Sequence, residues 1–337
     1  MNNKTLIALA VAATVSAGAN AANVYSQDGT ELNVGGRAEF RGDFIGNDGK
    51  EIEGTMANNS RFRLNVGGTT EINESLSGFG FYEAEQTVIS SGNEQDSNDT
   101  NSDFKQRYMF AGLQGDFGAV SFGRQDTAAV QISQMSDVTT FTGAQKEFIN
   151  AGNEQINNTI LYTGEFDALT VKASFVAGEE KDTDAYGVSG IYTLPMGLGF
   201  GLGYSAGDNG EGEGSGDAII AGVNYTLDSL YLAGTYTTGE ADDKDKSDFN
   251  GMELSAVYGF GNGFSLMGAY QKTDLKVNGT KEDQSDFFEI TGDYAFNKNL
   301  NAYVAYQLNN LDSQYSQVGN KKIEGEDTMR LGLKYAF

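Results

Sequence analysis

The sequence predicts an all-β fold: a 16-stranded antiparallel transmembrane β-barrel with short periplasmic turns, long extracellular loops and an inward-folded third loop. Three observations carry that prediction. Apolar and polar residues alternate with a period of two in segments of about ten residues along most of the chain, as strands must when one face meets lipid and the other water. Tight turns and long polar connections alternate between those segments. An export leader precedes the first of them.

The leader is read from Met1 to Lys4 as a polar stretch with one positive charge, from Leu6 to Val15 as an apolar stretch without charge, and at Ala19, Asn20 and Ala21 as the small residues a signal peptidase needs. Cleavage is expected after Ala21, which leaves 22–337 as a single barrel domain in the outer membrane. Beyond the leader no run of 18 apolar residues appears, so no helix would anchor the chain in an inner membrane. Strands can span instead, because closure satisfies every backbone hydrogen bond inside the hydrocarbon layer.

The first mature strand turns Val34, Gly36, Ala38, Phe40, Gly42 and Phe44 outward and Arg37, Glu39, Arg41 and Asp43 inward; four charges on one face need water there. The second sets Phe62, Leu64, Val66 and Gly68 against Arg61, Arg63, Asn65 and Gly67. A third runs around 78–85. Alternation then recurs at 106–114, 118–123, 156–163, 169–177, 185–193, 198–206, 217–226, 229–237, 251–260, 264–271, 287–296, 300–309 and 327–337. Seven tight connections, at 73–75, 115–117, 164–167, 195–197, 227–228, 261–263 and 297–299, carry Gly, Asn, Asp or the single Pro and are placed on the periplasmic side. Tyr162, Tyr192, Tyr225, Tyr258, Tyr294 and Tyr335 fall at the outward phase beside these turns or the carboxy terminus, as a girdle at the headgroup level would.

Composition excludes several classes. There is no Cys for a disulfide scaffold, and with no His or Cys only oxygen ligands remain, so no metal site and no cofactor are expected beyond Ca²⁺ or Mg²⁺ held loosely at acidic loops. Asp plus Glu number 47 against 22 Lys plus Arg, a formal charge of −25 that argues against a nucleic-acid partner. Gly203, Ser205 and Gly207 fit a Gly-x-Ser-x-Gly pattern, but they sit within a strand and no histidine exists to act as base, so the chain is not expected to be an enzyme.

The stretch 124–155 lacks alternation and is more apolar than the other long loops, with Ala128, Ala129, Val130, Ile132, Met135, Val138, Phe141, Phe148 and Ile149. A long loop with enough apolar residues to pack is expected to fold into the barrel and narrow its channel. An ordered external lid is the other reading.

The runs 59–65, 71–76 and 78–83, followed by 107–113, 121–125, 294–299 and 333–337, closely resemble the Gram-negative general porins, with the amino-terminal third most similar to the OmpU-type porins of marine bacteria. The resemblance implies a homotrimer with one pore per barrel, in contact with lipopolysaccharide and outer-membrane lipid. It also implies a constriction in which basic wall residues face carboxylates on the third loop. By matching motifs, Arg37, Arg63 and Arg107 take the basic wall positions, with Arg41 and Arg61 beside them; Asp137 starts the acidic motif of the third loop, and Glu83, a wall carboxylate, with Glu85 completes the acidic side; and Arg124 stands at the start of the third loop. Tyr335 and Phe337 form the carboxy-terminal signal for the outer-membrane barrel-assembly machinery.

Two departures weaken the implied field. Thr139 to Gly143 replace a Pro-Glu-Phe-Gly-Gly segment and its second carboxylate, and Gln155 stands where a further wall arginine is expected. Each arginine is alternatively a wall residue merely paired with a neighbour such as Glu39 or Glu85. The expected function is passive diffusion of small hydrophilic solutes and ions through a water-filled pore made mildly cation-selective by its acidic mouth. An adhesin or receptor whose acidic loops carry the main role, and a substrate-specific channel, are the competing readings; few large aromatics (Phe79, Phe81, Tyr231, Phe287 and Tyr303) fall at the inward phase, which disfavours a sugar slide.

Overall fold

The computed structural model describes residues 21–47, 51–88, 104–316, 318, 322–323 and 325–337; the leader at 1–20 and most of the second long loop lie outside the described residues. Strand β1 (Ala22–Gln27) turns at Asp28 and Gly29, both at positive φ, into β2 (Thr30–Asn47), and β3 (Glu51–Asn58) and β4 (Arg61–Asn73) lie end to end along one edge of β2. Then come β5 (Leu76–Thr87), β6 (Phe104–Gly115), β7 (Gly118–Gln125), β8 (Ile156–Phe166), β9 (Leu169–Val176), β10 (Ala185–Thr193), β11 (Leu198–Asp208) and β12 (Ser215–Leu227). They are followed by β13 (Leu230–Asp242), β14 (Ser247–Gly259), β15 (Phe264–Val277), β16 (Thr280–Ala295), β17 (Leu300–Asn309) and β20 (Thr328–Ala336). A separate two-stranded sheet, β18 (Gln314–Tyr315) with β19 (Lys322–Ile323), sits in the last long loop.

Each strand pairs antiparallel with its neighbour, and β20 pairs with both β17 and β2, which closes the sheet. The 18 segments make a 16-stranded wall, because β3 with β4 and β20 with β1 each form one stave in two pieces. The second of these junctions brings the chain ends together. Phe337 exchanges two backbone hydrogen bonds with Gly36 while Ala22 pairs with Val34, two residues along β2.

Burial follows the alternation. Phe200, Leu202 and Tyr204 are exposed while Gly201, Gly203 and Ser205 between them are buried. In a lipid-embedded barrel the exposed phase is the apolar one, and the interior holds the polar groups. At the short-turn end Tyr192, Tyr258, Tyr294 and Tyr335 are exposed, and Phe260 meets Tyr258 edge-on at 4.9 Å and Phe264 in a tilted contact at 5.3 Å between centroids.

Three connections read from the sequence as long loops are instead extensions of the hairpins. Strands β13 and β14, and β15 and β16, stay paired to tips at 243–246 and at Asn278 and Gly279, and β2 pairs with β3 out to Asn47. Beyond the membrane both faces of a hairpin meet water, so the backbone remains extended while the apolar alternation that reveals a strand disappears. The Asn278-Gly279 tip, with φ of 50° and 88°, has the left-handed geometry that two-residue hairpins require.

The third loop, 126–155, lies inside the barrel. Its one-turn helix α1 (Val130–Ser133) packs on β10, β11 and β12, and its two 3₁₀ turns (Ala144–Lys146 and Asn150–Gly152) reach β14 and β11. Ile132 and Met135 rest on Gly201 and Gly222, which are cross-strand partners; a Cβ on Gly201 would stand 2.7 Å from Ile132 Cδ1. Further along, Phe148 stacks on Phe249 at 4.3 Å, beside buried Ile149, Val176 and Ala218. Of the apolar residues that set this loop apart in the sequence, Ala128, Ala129, Val130, Ile132, Met135 and Ile149 are therefore buried between loop and wall, while Val138 and Phe141 stay partly exposed.

Candidate pore constriction

The inward faces of β2 and β4 carry Arg37, Arg41, Arg61 and Arg63 in register: Arg37 pairs with Arg63 and Glu39 with Arg61. Four guanidinium groups on adjoining positions repel unless carboxylates are interleaved, and the wall supplies them. Glu39 takes Arg61 Nε at 2.6 Å, Glu85 takes Arg63 Nε and Nη2 at 2.9 and 2.6 Å, and Glu83 takes Arg107 Nε at 2.8 Å. Glu83 and Glu85 thus lie on the arginine wall itself. Arg37 is the loosest member, 3.7 Å from Glu39 and 3.8 Å from Glu85, with no hydrogen bond at its Nε.

Arg107 reaches this cluster through a backbone irregularity. Met109, Ala111 and Leu113 are exposed on the outer face, so strict alternation would turn Arg107 outward as well. The register between β5 and β6 shifts by one residue there, Glu83 pairing with Tyr108 and Ala84 with Gln106, and the extra residue is Arg107. A bulge of this kind re-aims a side chain. Arg124 goes the other way: it donates to Gln106 O at 2.9 Å and to Asn157 Oδ1 at 2.8 Å, tying β6, β7 and β8 together at the loop's root without joining the wall arginines.

The loop tip is held by barrel side chains of β14, β16 and β20, the last of which is the strand paired with β2. Glu289 accepts from Thr139 Oγ1 at 2.6 Å and from the backbone N–H groups of Thr140 and Phe141 at 3.0 Å each. Arg330, paired with Asp43 at 2.6 and 2.7 Å, donates to Thr140 O at 3.0 Å and lies 4.2 Å from the Phe141 ring centroid. Glu253 accepts from Ser136 Oγ at 2.8 Å and from Gly143 N at 2.7 Å. Glu253, Glu289 and Arg330 were not singled out by the sequence reading. Their one signal is a charged residue at an inward phase, which says that water or a polar partner is near but not which.

Asp137 is placed within the loop, accepting from Lys146 Nζ at 2.7 Å and Thr142 Oγ1 at 3.0 Å. The loop residues that face the arginines are uncharged: a water-accessible gap of about 310 Å³ is lined by Arg37, Glu39, Arg41, Arg61 and Lys334, by Val138, Thr139 and Thr140 of the loop, and by Asp293 and Asn301 of β16 and β17. Tyr303, also on the gap, donates to Glu39 Oε1 at 2.6 Å. At the loop's root, burial pushes the Asp126 carboxyl above its usual range, and nearby Glu154 adds to the shift. Gln155 donates its backbone N–H to Asp126 at 3.1 Å. Among the described residues no three His, Cys, Asp or Glu side chains come together as a metal-holding group.

This arrangement is that of a filter. In a narrow, low-dielectric passage two unit charges at ~4 Å interact by about 4 kcal/mol rather than the ~1 kcal/mol of bulk water, so fixed charges govern what enters.

A family model described as Gram-negative porin matches residues 8–314. The chain is 37% identical to outer membrane protein U of Vibrio cholerae over 373 residues, covering 99% of this chain and 100% of that protein. Among solved structures it resembles Salmonella typhi OmpF, solved in complex with daunomycin, with a TM-score of 0.80 at 21% identity over 94% of this chain and 100% of that one. It also resembles the trimer form of Vibrio cholerae OmpT, with a TM-score of 0.70 at 17% identity over 92% and 100%.

Proposed function

The chain belongs to the Gram-negative porin family and resides in the outer membrane, and from that premise we propose that it is a channel, a general diffusion porin. Its solutes are small, hydrophilic molecules and ions crossing the gap between the arginine wall and the loop tip, and that gap is the observation that carries the reading. The passage is mildly cation-selective, because a net charge of −25, much of it in the loops, raises the cation concentration at the mouth.

The working unit is a homotrimer, as in the trimer form solved for OmpT. Small outward residues on the first staves allow barrels to approach closely, with one qualification: Gly36 is covered by Phe337 and Gly42 by Met56 of the same chain. Gly78 and Gly80 are open, with no atom within 3.4 Å of an added Cβ. Replacing both with leucine is expected to leave the barrel folded and weaken the trimer on a native gel; an unchanged trimer would remove this wall from the interface.

In the same reading the leader is cleaved after Ala21, Tyr335 and Phe337 serve the barrel-assembly machinery, and lipopolysaccharide with loosely held divalent cations surrounds the acidic loops. Recording refolded protein in a planar bilayer under a potassium chloride gradient tests the function. Ohmic conductance in steps of three, with a reversal potential favouring potassium, is expected. Folded trimers that pass no current would defeat the pore reading, and a preference for chloride would defeat the selectivity.

A further inference from the structure

Lys146 is the only basic residue between Arg124 and Lys172. Its side chain is 6% exposed, and its ammonium contacts Asp137 Oδ2 at 2.7 Å and Glu154 Oε1 at 3.3 Å. Burial alone would lower its pKa, but the two carboxylates outweigh burial and hold it above the usual lysine value, so the cation persists across the working pH range. Gly143, at φ 113°, makes room for the contact: a Cβ there would stand 2.7 Å from Asp137 Oδ2 and 3.0 Å from Lys146 Nζ. Asp137 immediately precedes Val138, which lines the gap.

We propose that Lys146 is a selectivity-determining residue: shared between Asp137 and Glu154, it offsets one of the loop's two carboxylate charges, so that ions in the gap pass an uncharged loop tip with that much less negative charge behind it. This rests on the pore reading. Opposite charges 2.7 and 3.3 Å apart largely offset one another for a more distant ion, so the ammonium removes one unit from the charge of the two carboxylates. That unit acts on the pore only when the lysine is removed.

The test is the reversal potential of full-length refolded protein in a potassium chloride gradient. Lys146→Met should raise the potassium-to-chloride permeability ratio about twofold or more, the size expected of one unit charge at roughly 10 Å through water. Asp137→Asn should lower the ratio, since one carboxylate charge is lost while Lys146 keeps its own, and the double variant K146M/D137N and the conservative Lys146→Arg should both return the wild-type value. A Lys146→Met channel of normal conductance with an unchanged ratio overturns the proposal, as does a double variant that keeps the shift of Lys146→Met. Should Lys146→Met fail to fold, an unchanged ratio in Asp137→Asn overturns it equally. A wild-type chain that conducts nothing instead overturns the pore reading beneath it.

Discussion

Replacing Glu289 with alanine is expected to release the tip of the third loop and raise the single-channel conductance, with added current noise as the tip moves. Glu289 is 4% exposed and accepts four hydrogen bonds, from Thr139 Oγ1, Thr140 N, Phe141 N and Thr291 Oγ1. Two of those donors are backbone groups with no strand partner, because the tip is neither helix nor sheet. Bonds to a charged acceptor contribute about 1.5–3 kcal/mol each, and an unsatisfied buried donor costs about 1–3 kcal/mol, so the tip loses several kcal/mol of attachment less whatever water restores. Arg330 still grips Thr140 from the other side, which makes the single variant partial and E289A/R330A larger. Glu289→Gln keeps one acceptor oxygen and should fall between. Conductance of Glu289→Ala indistinguishable from wild type, in amplitude and in noise, would show that the loop is held elsewhere.

The second large effect is expected from filling the glycine notch under α1. Gly201 and Gly222 face each other across β11 and β12, and added Cβ atoms would stand 2.7 and 3.0 Å from Ile132 and 2.9 and 2.8 Å from Met135 Sδ. Valine suits a strand, so G201V/G222V leaves the barrel wall intact and transfers the strain to the loop. Overpacking of this kind costs about 1–3 kcal/mol. The helix has only the lumen to move into, so the channel should narrow and its conductance fall while the heat resistance of the folded barrel is retained. Gly268→Ala, whose Cβ would lie 3.7 Å from Glu289 O, serves as a control expected to change nothing. A double variant with wild-type conductance would show that the helix can reseat elsewhere on the wall.

Both expectations concern contacts that no local pattern announces. The staves were legible because lipid on one side and water on the other imprint a period of two on every membrane-crossing segment, and the inward phase of Arg37, Glu39, Arg61 and Arg63 followed directly from it. Where lipid ends, the imprint ends: the outer parts of β13 to β16 carry no such alternation although their backbones continue the ladder. Arg107 shows a different failure. Its assignment to the wall came from family likeness, whereas alternation alone would have turned it outward, and a one-residue bulge reconciles the two.

By itself, then, the sequence determined that this chain forms a closed barrel of sixteen staves, which face is wet, and that residues 124–155 are unlike the other loops. These properties are written locally, in the spacing of apolar side chains against a solvent that changes across the strand. Tertiary structure alone decided which charges are paired. Glu289 and Thr140 are 149 residues apart, Arg330 and Thr140 are 190, and Lys146 and Asp137 meet only because the loop doubles back at Gly143. An electrostatic field depends on distances in space, and for this pore those distances are set by how a loop packs against a wall assembled from both ends of the chain.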